Sequence, residues 1–369
     1  RLPLYHPPGE AQVDFGHFSY INNSGDMVDA LKLTVSFPYS NQAYCQIFGG
    51  ENQQCLPQGM RNIFEHIGKV PNRILFDNLS SAVAHMGNGH NRTLTDGFER
   101  FMTHYKFEAA FCNGAAGWEK GTVENKVGYE RRNMFVPIPT ILDFNQFNQS
   151  LFIACEKDAR REHYAKKISI ESLFQEDLQE MLTINPVAYE IFLLEPRKTD
   201  NYAKVTFDNN LYSFSQRYAK ENVYVKASSD KVWILNDSYE VIMEHPRLYG
   251  NGLESMKWLP YIDLMSRRPA AMKYTEFYQQ LPDNWQKYLS KQNADGKWKG
   301  LTSLYTMLQK HDMRTAEDAL AFAISNGVKD ADSILAAYRT LTSGVQQMQP
   351  MQLGCNVISM PGFTTNNNK

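Results

Sequence analysis

The chain has 369 residues, enough for two or three domains of ordinary size, and 43% of them are apolar, so it can fill cores of its own. Lys and Arg number 38 against 40 Asp and Glu, a formal charge of −2 that gives no global nucleic-acid signature and by itself counts against DNA binding. No stretch approaches the roughly 18 consecutive apolar residues of a membrane span, and no basic-then-apolar leader opens the chain, so the expected setting is the cytoplasm.

The five cysteines, Cys45, Cys55, Cys112, Cys155 and Cys355, are odd in number and scattered without a C-x-x-C pair, which points to reduced thiols rather than a structural zinc. The nine histidines are equally dispersed and read as ordinary core or surface residues. Charge is uneven: residues 257 to 310 hold nine Lys/Arg against four Asp/Glu. The first residue is Arg1 rather than Met, and the expectation is a fragment or processed chain.

In chain order, residues 11 to 49 predict a three-stranded meander, "AQVDFGHFSYI", "DALKLTVSF" after the turn residues Ser24-Gly25-Asp26, and "QAYCQIFGG". An amphipathic helix follows in "CLPQGMRNIFEHIGKV", with Met60, Ile63, Phe64 and Ile67 on one side and Pro71 as its stop. "NRILFDNL" reads as a short strand buried on both faces, and the Gly/Asn/His-rich residues 85 to 91 as a loop. "TDGFERFMTHYKF" predicts a helix and "EAAFCN" a strand. "WEKGTVENKVGYERRN", residues 118 to 133, predicts a further helix whose apolar stripe is Val123, Val127 and Met134.

The order β-β-β-α-β-α-β-α is that of a ribonuclease-H-like α/β domain, a mixed sheet flanked by helices. The acids sharpen it. Asp14 lies within the apolar "QVDFG", Asp77 ends "ILFD", and Glu124 borders the helical stripe. A carboxylate inside a buried strand costs several kcal/mol unless it is paired or binds a metal. Each also has a plain structural reading: Asp77-Asn78 as an Asx turn, Asp14 as a bulge residue bonded to the backbone, Glu124 as part of a solvated salt-bridge face. Together, on three elements that this topology brings to one place, they point to a site.

Three segments, "GEAQVDFG" (9–16), "ILFDNLSSAV" (74–83) and "EKGTVENKVGYERRNMF" (119–135), resemble in order and register the catalytic segments of the IstA-type insertion-sequence transposases, DDE enzymes of the retroviral-integrase superfamily. The resemblance runs over roughly residues 9 to 250. It implies that Asp14, Asp77 and Glu124 form the DDE triad, spaced here by 63 (77 − 14) and 47 (124 − 77) positions. Phe15 stands where the family usually has Trp, and Ser80-Ser81 where a basic residue is common, which puts one DNA contact in doubt.

The residue types suit phosphodiester transfer, which uses two divalent cations about 3.5–4 Å apart held by carboxylates. Mg²⁺, with Mn²⁺ as substitute, prefers such oxygen ligands. Asp14 is expected to bridge both ions, with Asp77 and Glu124 each completing one side; water then nicks the element's end and the freed 3′-OH attacks target DNA. On a helix of 3.6 residues per turn, Lys120, Gly121, Gly128 and Arg131 share the face of Glu124, the glycines leaving room for a phosphate backbone and the cations contacting it. Arg132 and Asn78 complete the expected DNA contacts.

Five regions result: a catalytic domain over 1–140, a helical connection over 141–200, a small antiparallel β-barrel over 201–257, a helical segment over 258–344 and a disordered Gln/Met/Asn-rich tail over 345–369. The barrel rests on period-two runs separated by Asn209-Asn210, Ser229-Asp230 and Asn236-Asp237; integrase-like transposases carry one after the catalytic domain. Arg160, Arg161, Lys166 and Lys167 form a basic cluster that suits DNA contact and a solvated helical face equally.

The expected function is a DNA transposase core that cleaves element ends and joins them to target DNA, acting as a homo-oligomer on DNA in the bacterial cytoplasm and nucleoid. The alternatives are a catalytically idle scaffold that binds DNA ends, and a nuclease of the ribonuclease-H type. The resemblance further implies an AAA+ helper ATPase as partner, and helix-turn-helix modules that would precede this core.

Overall fold

Period-two alternation builds the first sheet, and the computed structural model describes residues 6–76, 83–86, 92–111, 129, 133–266, 276–327 and 330–343. Contacts divide the chain into two units, residues 1–255 and 256–369.

In the first unit β1 (Glu10–Ile21), β2 (Met27–Phe37) and β3 (Gln42–Phe48) form the expected antiparallel meander. Asn22 closes its first turn, its Oδ1 accepting from the Ser24 and Asp26 N–H groups at 2.9 Å each. Helix α1 (Cys55–Ile67) buries Met60, Ile63 and Phe64 as its pattern requires, but ends before Pro71: Gly68 adopts φ +69°, the left-handed stop that glycine permits, and Lys69–Val70 form β4. Strand β5 (Arg73–Phe76) follows. Two short strands, β6 (Val83–Met86) and β7 (Arg92–Leu94), pair across the segment expected as loop, whose residues 87–91 lie outside the described residues. Helix α2 (Asp96–Tyr105) is capped by Thr95 and leads into β8 (Glu108–Phe111).

The sheet order is β3-β2-β1-β5-β8, with β5 parallel to β1 and β8 parallel to β5. An antiparallel meander extended by parallel strands, with helices in the crossovers, is the ribonuclease-H-like arrangement. Helices α1 and α2 cover the face carrying Val13, Leu33 and Phe76. Gly59 of α1 seats against it so closely that a Cβ there would meet Leu33 Cδ2 at 2.4 Å, and Phe98 of α2 meets the Phe76 ring at 5.4 Å.

The opposite face is covered by α3 (Phe144–Asp158), whose Cys155 Sγ lies 3.9 Å from Cys45 Sγ. This helix also protects the sheet edge. Ile47 N–H donates to Asn148 Oδ1 at 2.7 Å, and Asn148 Nδ2 donates to the Ile47 carbonyl at 3.1 Å, so a buried side chain takes the place of a neighbouring strand. Asn148→Ala leaves both backbone groups buried without partners and is expected to cost about 1–3 kcal/mol in denaturant titration. A change under ~0.5 kcal/mol would mean that water replaces the amide.

Helix α4 (Ile170–Glu180) pins the start of β1 through the fully buried Asp177, whose Oδ1 accepts from Gly9 N–H at 2.8 Å. Burial raises the Asp177 carboxyl above the usual range, against the lowering effect of bonds from Ser40 and Gly9. A raised folded value means that its stabilising contribution is present below the unfolded value, about 3.9, and is lost as pH rises through the folded one. Asp177→Asn keeps an acceptor for Gly9 and is therefore expected to raise Tm at pH 7, with a gain that fades towards pH 4. A lower Tm at pH 7 would show the charged form to be net stabilising.

Strand β9 (Leu182–Thr183) returns to pair with β4. Beyond it the expected barrel is observed as two sheets. Strands β10 (Leu193–Lys198), β13 (Asn222–Ala227), β14 (Lys231–Leu235) and β15 (Val241–Pro246) form one; β11 (Lys204–Phe207), β12 (Asn210–Ser213) and β16 (Glu254–Ser255) form the other. They share a core that includes Phe207, Tyr212, Phe214, Val225 and Ile234. Among the described residues no ladder closes the sheets into a barrel, because side chains take the seam: His245 Nε2 lies 2.8 Å from the Ser213 carbonyl and its Nδ1 2.9 Å from Ser255 Oγ. Ser229-Asp230 and Asn236-Asp237 fall between strands as expected, whereas the Asn209-Asn210 turn sits one residue earlier: Asp208 and Asn209 are both at positive φ and Asn210 opens β12.

The second unit is helical: α5 (Trp258–Ser266), α6 (Glu276–Gln280), α7 (Asp283–Ser290), α8 (Ala294–Leu308), α9 (Met313–Ser325) and α10 (Ala331–Thr342). Asn293, Asp312 and Asp330 cap the last three, and Trp285, Leu289, Leu304 and Leu320 lie in their core. Among the described residues no helix is long and apolar enough to cross a membrane. The Gln/Met/Asn-rich tail lies outside the described residues.

Candidate functional site

Alternation along "QVDFG" puts Val13 and Phe15 on the face covered by α1, and Gln12, Asp14 and Gly16 on the other. Across β2 Asp14 stands opposite Thr34 and Gly16 opposite Lys32; across β3 Thr34 stands opposite Cys45. In the parallel direction the last registered pair is Val13 with Phe76. The next residues in the two sequences are Asp14 and Asp77. Asp77 lies outside the described residues, as do Asn78, Lys120, Glu124, Arg131 and Arg132, so Asp14 is the predicted site residue that has a described position.

The face around Asp14 is polar although it is buried. Lys32 is 1% exposed, Thr34 and Ser36 are equally enclosed, and Gln12 is buried with an Oε1 that has no hydrogen-bond partner among the described residues. Among the described residues no three His, Cys, Asp or Glu side chains gather as a metal site. What this face offers is oxygen: the Asp14 carboxylate and, two positions before it, an amide oxygen in need of a donor. That donor set fits a hard cation with bound water and does not suit zinc.

The far end of the predicted Glu124 helix is anchored on the same face. Tyr129 is helical, its hydroxyl donates to Asp158 Oδ1 at 2.7 Å, and the Arg161 guanidinium lies over its ring at 4.9 Å. Burial, with Asp158 second, raises the Tyr129 hydroxyl above its ordinary range. Met134 Sδ meets Cys45 Sγ at 3.9 Å, and the Phe135 ring packs 4.6 Å from that of Phe18. Met134, expected on the helical stripe, thus seats in the row that contains Asp14, Thr34 and Cys45.

The basic cluster after α3 is partly committed elsewhere. Arg161 pairs with Asp158 at 3.1 Å, and Lys166 donates to the Tyr39 carbonyl at 2.8 Å with its ammonium over the Tyr39 ring. Burial lowers the Lys166 ammonium below its ordinary range, with Glu176 opposing. Arg160 and Lys167 are exposed. Sequence reading passed over Lys32 and Gln12. The signal was there: in "ALKLTVSF" Leu31, Leu33, Val35 and Phe37 alternate with Lys32, Thr34 and Ser36, which makes a polar row on the face of Asp14.

Residues 184–256, which contain the two-sheet module, match the family model described as Mu transposase, C-terminal domain. A transposase for insertion sequences IS1326/IS1353 from Pseudomonas aeruginosa is 24% identical over 349 residues, 92% of this chain and 68% of the relative. A transposase from Aminobacter aminovorans is 24% identical over 360 residues, 95% of this chain and 70% of the relative. Among solved structures, the HTLV-2 integrase catalytic core domain in complex with magnesium is 13% identical with a TM-score of 0.31, covering 46% of this chain and 97% of the core. Along almost its whole length, and in the module at its centre, the chain is thus similar to insertion-sequence transposases.

Proposed function

We propose that the chain is the catalytic core of a DDE transposase, with Asp14, Asp77 and Glu124 holding divalent cations and with element ends and target DNA as substrates. The observation that carries this reading is the register: β1 and β5 run parallel up to Val13 and Phe76, and Asp14 and Asp77 are the residues that follow these two in the sequence. Asp14 stands on a face whose buried oxygens suit Mg²⁺ or Mn²⁺. The ions, when bound, supply activation of the attacking oxygen and stabilisation of the leaving one. Asp14 orients them from the sheet, Asp77 and Glu124 complete the ligand set, and Lys120, Arg131, Arg132 and Asn78 hold the DNA backbone. An AAA+ helper ATPase is a partner implied by the resemblance alone.

The test is to incubate the chain with pre-cut ends of its own element and a target plasmid, with Mg²⁺ or with EDTA. Metal-dependent joining is expected. Binding of ends without joining would favour the idle scaffold, and cutting of RNA–DNA hybrids without joining the ribonuclease-H-type nuclease.

A further inference from the structure

Lys32 is 1% exposed in the middle of a strand, a position where an ammonium costs several kcal/mol unless an anion neutralises it. It stands on the Asp14 face, opposite Gly16, two residues along β2 from the Thr34 that faces Asp14. Diagonal neighbours on one sheet face lie about 7–8 Å apart, within reach of a long side chain, and Gly16 places no side chain between them. The other described acid on this face of β1, Glu10, is at the strand's far end and pairs with Arg73 at 3.4 Å. The buried Phe135 ring has its centroid 5.6 Å from Lys32 Nζ, and at this burial water does little to screen the charge. A serine or leucine would satisfy the strand pattern at this position without the cost of a buried charge.

We propose that Lys32 is a positioning residue, a built-in counter-cation of the carboxylate site. Resting on the reading of Asp14 as a metal ligand, the idea is that the Lys32 ammonium neutralises part of the carboxylate charge before metal arrives. It holds the Asp14 side chain in place and competes with cations for it. Metal alone then binds weakly, and full loading awaits the added negative charge of a DNA phosphate.

The experiment titrates Mn²⁺ into DNA-free protein by electron paramagnetic resonance, using wild type, Lys32→Met, Lys32→Arg, Asp14→Asn and the Lys32→Met/Asp14→Asn double variant. Lys32→Met should tighten Mn²⁺ binding on the order of tenfold, because a unit positive charge near the ions is removed from a poorly screened site. Lys32→Arg, which keeps the charge, should restore wild-type affinity, an outcome that a packing role would not produce. In the Asp14→Asn background the methionine should change nothing. Unchanged affinity in Lys32→Met, while Asp14→Asn abolishes binding, would overturn the role of Lys32 and leave the metal site standing. Binding that survives Asp14→Asn unchanged would overturn both. Should Lys32→Met not fold, Lys32→Gln against Lys32→Arg makes the same comparison.

Discussion

Replacing Asp14 with Asn is expected to lower DNA strand joining by about 1,000-fold or more while the protein remains folded, the scale on which charge-stabilising groups act in a transition state. Asn keeps the size of the side chain and one oxygen, so the loss is that of the anion. The strand will hold, because β1 is registered with β2 from Gln12 to Ile21 and with β5 from Glu10 to Val13. Circular dichroism should therefore show native secondary structure, and joining on pre-cut ends in Mg²⁺ should vanish. Asp77→Asn and Glu124→Gln are expected to act alike, and the three losses should not add, since an incomplete ligand set fails as a unit. Joining within tenfold of wild type in Asp14→Asn would remove that residue from the chemistry and with it the proposed mechanism.

The elements around Asp14 were legible because their periods are clean. "ALKLTVSF" alternates, "MRNIFEHI" repeats at three and four, and the turns carry Gly25, Gly68 or Asn209 where a left-handed backbone is needed. Register was legible only through the acids: nothing in local pattern says that Val13 pairs with Phe76, a contact 63 residues apart, whereas two carboxylates following two apolar runs do suggest it. The helix stop shows how competing signals resolve. Pro71 was the stronger visual cue, yet Gly68 ends α1 three residues earlier, because the chain must turn at once to form β4. Barrel closure was illegible for another reason. Period-two runs fix which residues face inward but not which strand edges pair, and the buried His245 satisfies the Ser213 carbonyl that a closing strand would have used.

Also invisible to sequence pattern was what ties the two-sheet module to the five-stranded sheet's domain, and it carries the second large expected effect. Arg247 is buried at the start of the irregular stretch after β15. Its guanidinium donates to Gln54 Oε1 at 3.0 Å, to the Ser228 carbonyl at 2.5 Å and to Asp208 Oδ2 at 2.6 Å, between the rings of Phe207 and Tyr249. Tyr249 lies flat on Gly49 and Gly50, where a Cβ at either glycine would meet its ring at 2.3 or 2.6 Å, and its hydroxyl reaches the Ser229 carbonyl and the Cys55 thiol. The contact joins the N-terminus of α1 to both small sheets. Burial pushes the Cys55 thiol up to about 11, so it is protonated and unreactive at neutral pH. Breaking a buried ion pair from one side costs about 3–5 kcal/mol; Asp208 is 48% exposed and can be rehydrated, which places Arg247→Ala at the low end, near ~3 kcal/mol. Denaturant titration should show that loss, and a thiol reagent at neutral pH should label Cys55 in the variant well before global unfolding, since the lost guanidinium also held Gln54, its neighbour. Stability within ~1 kcal/mol of wild type, with Cys55 still silent, would mean that the Tyr249 ring on its two glycines suffices to hold the module in place.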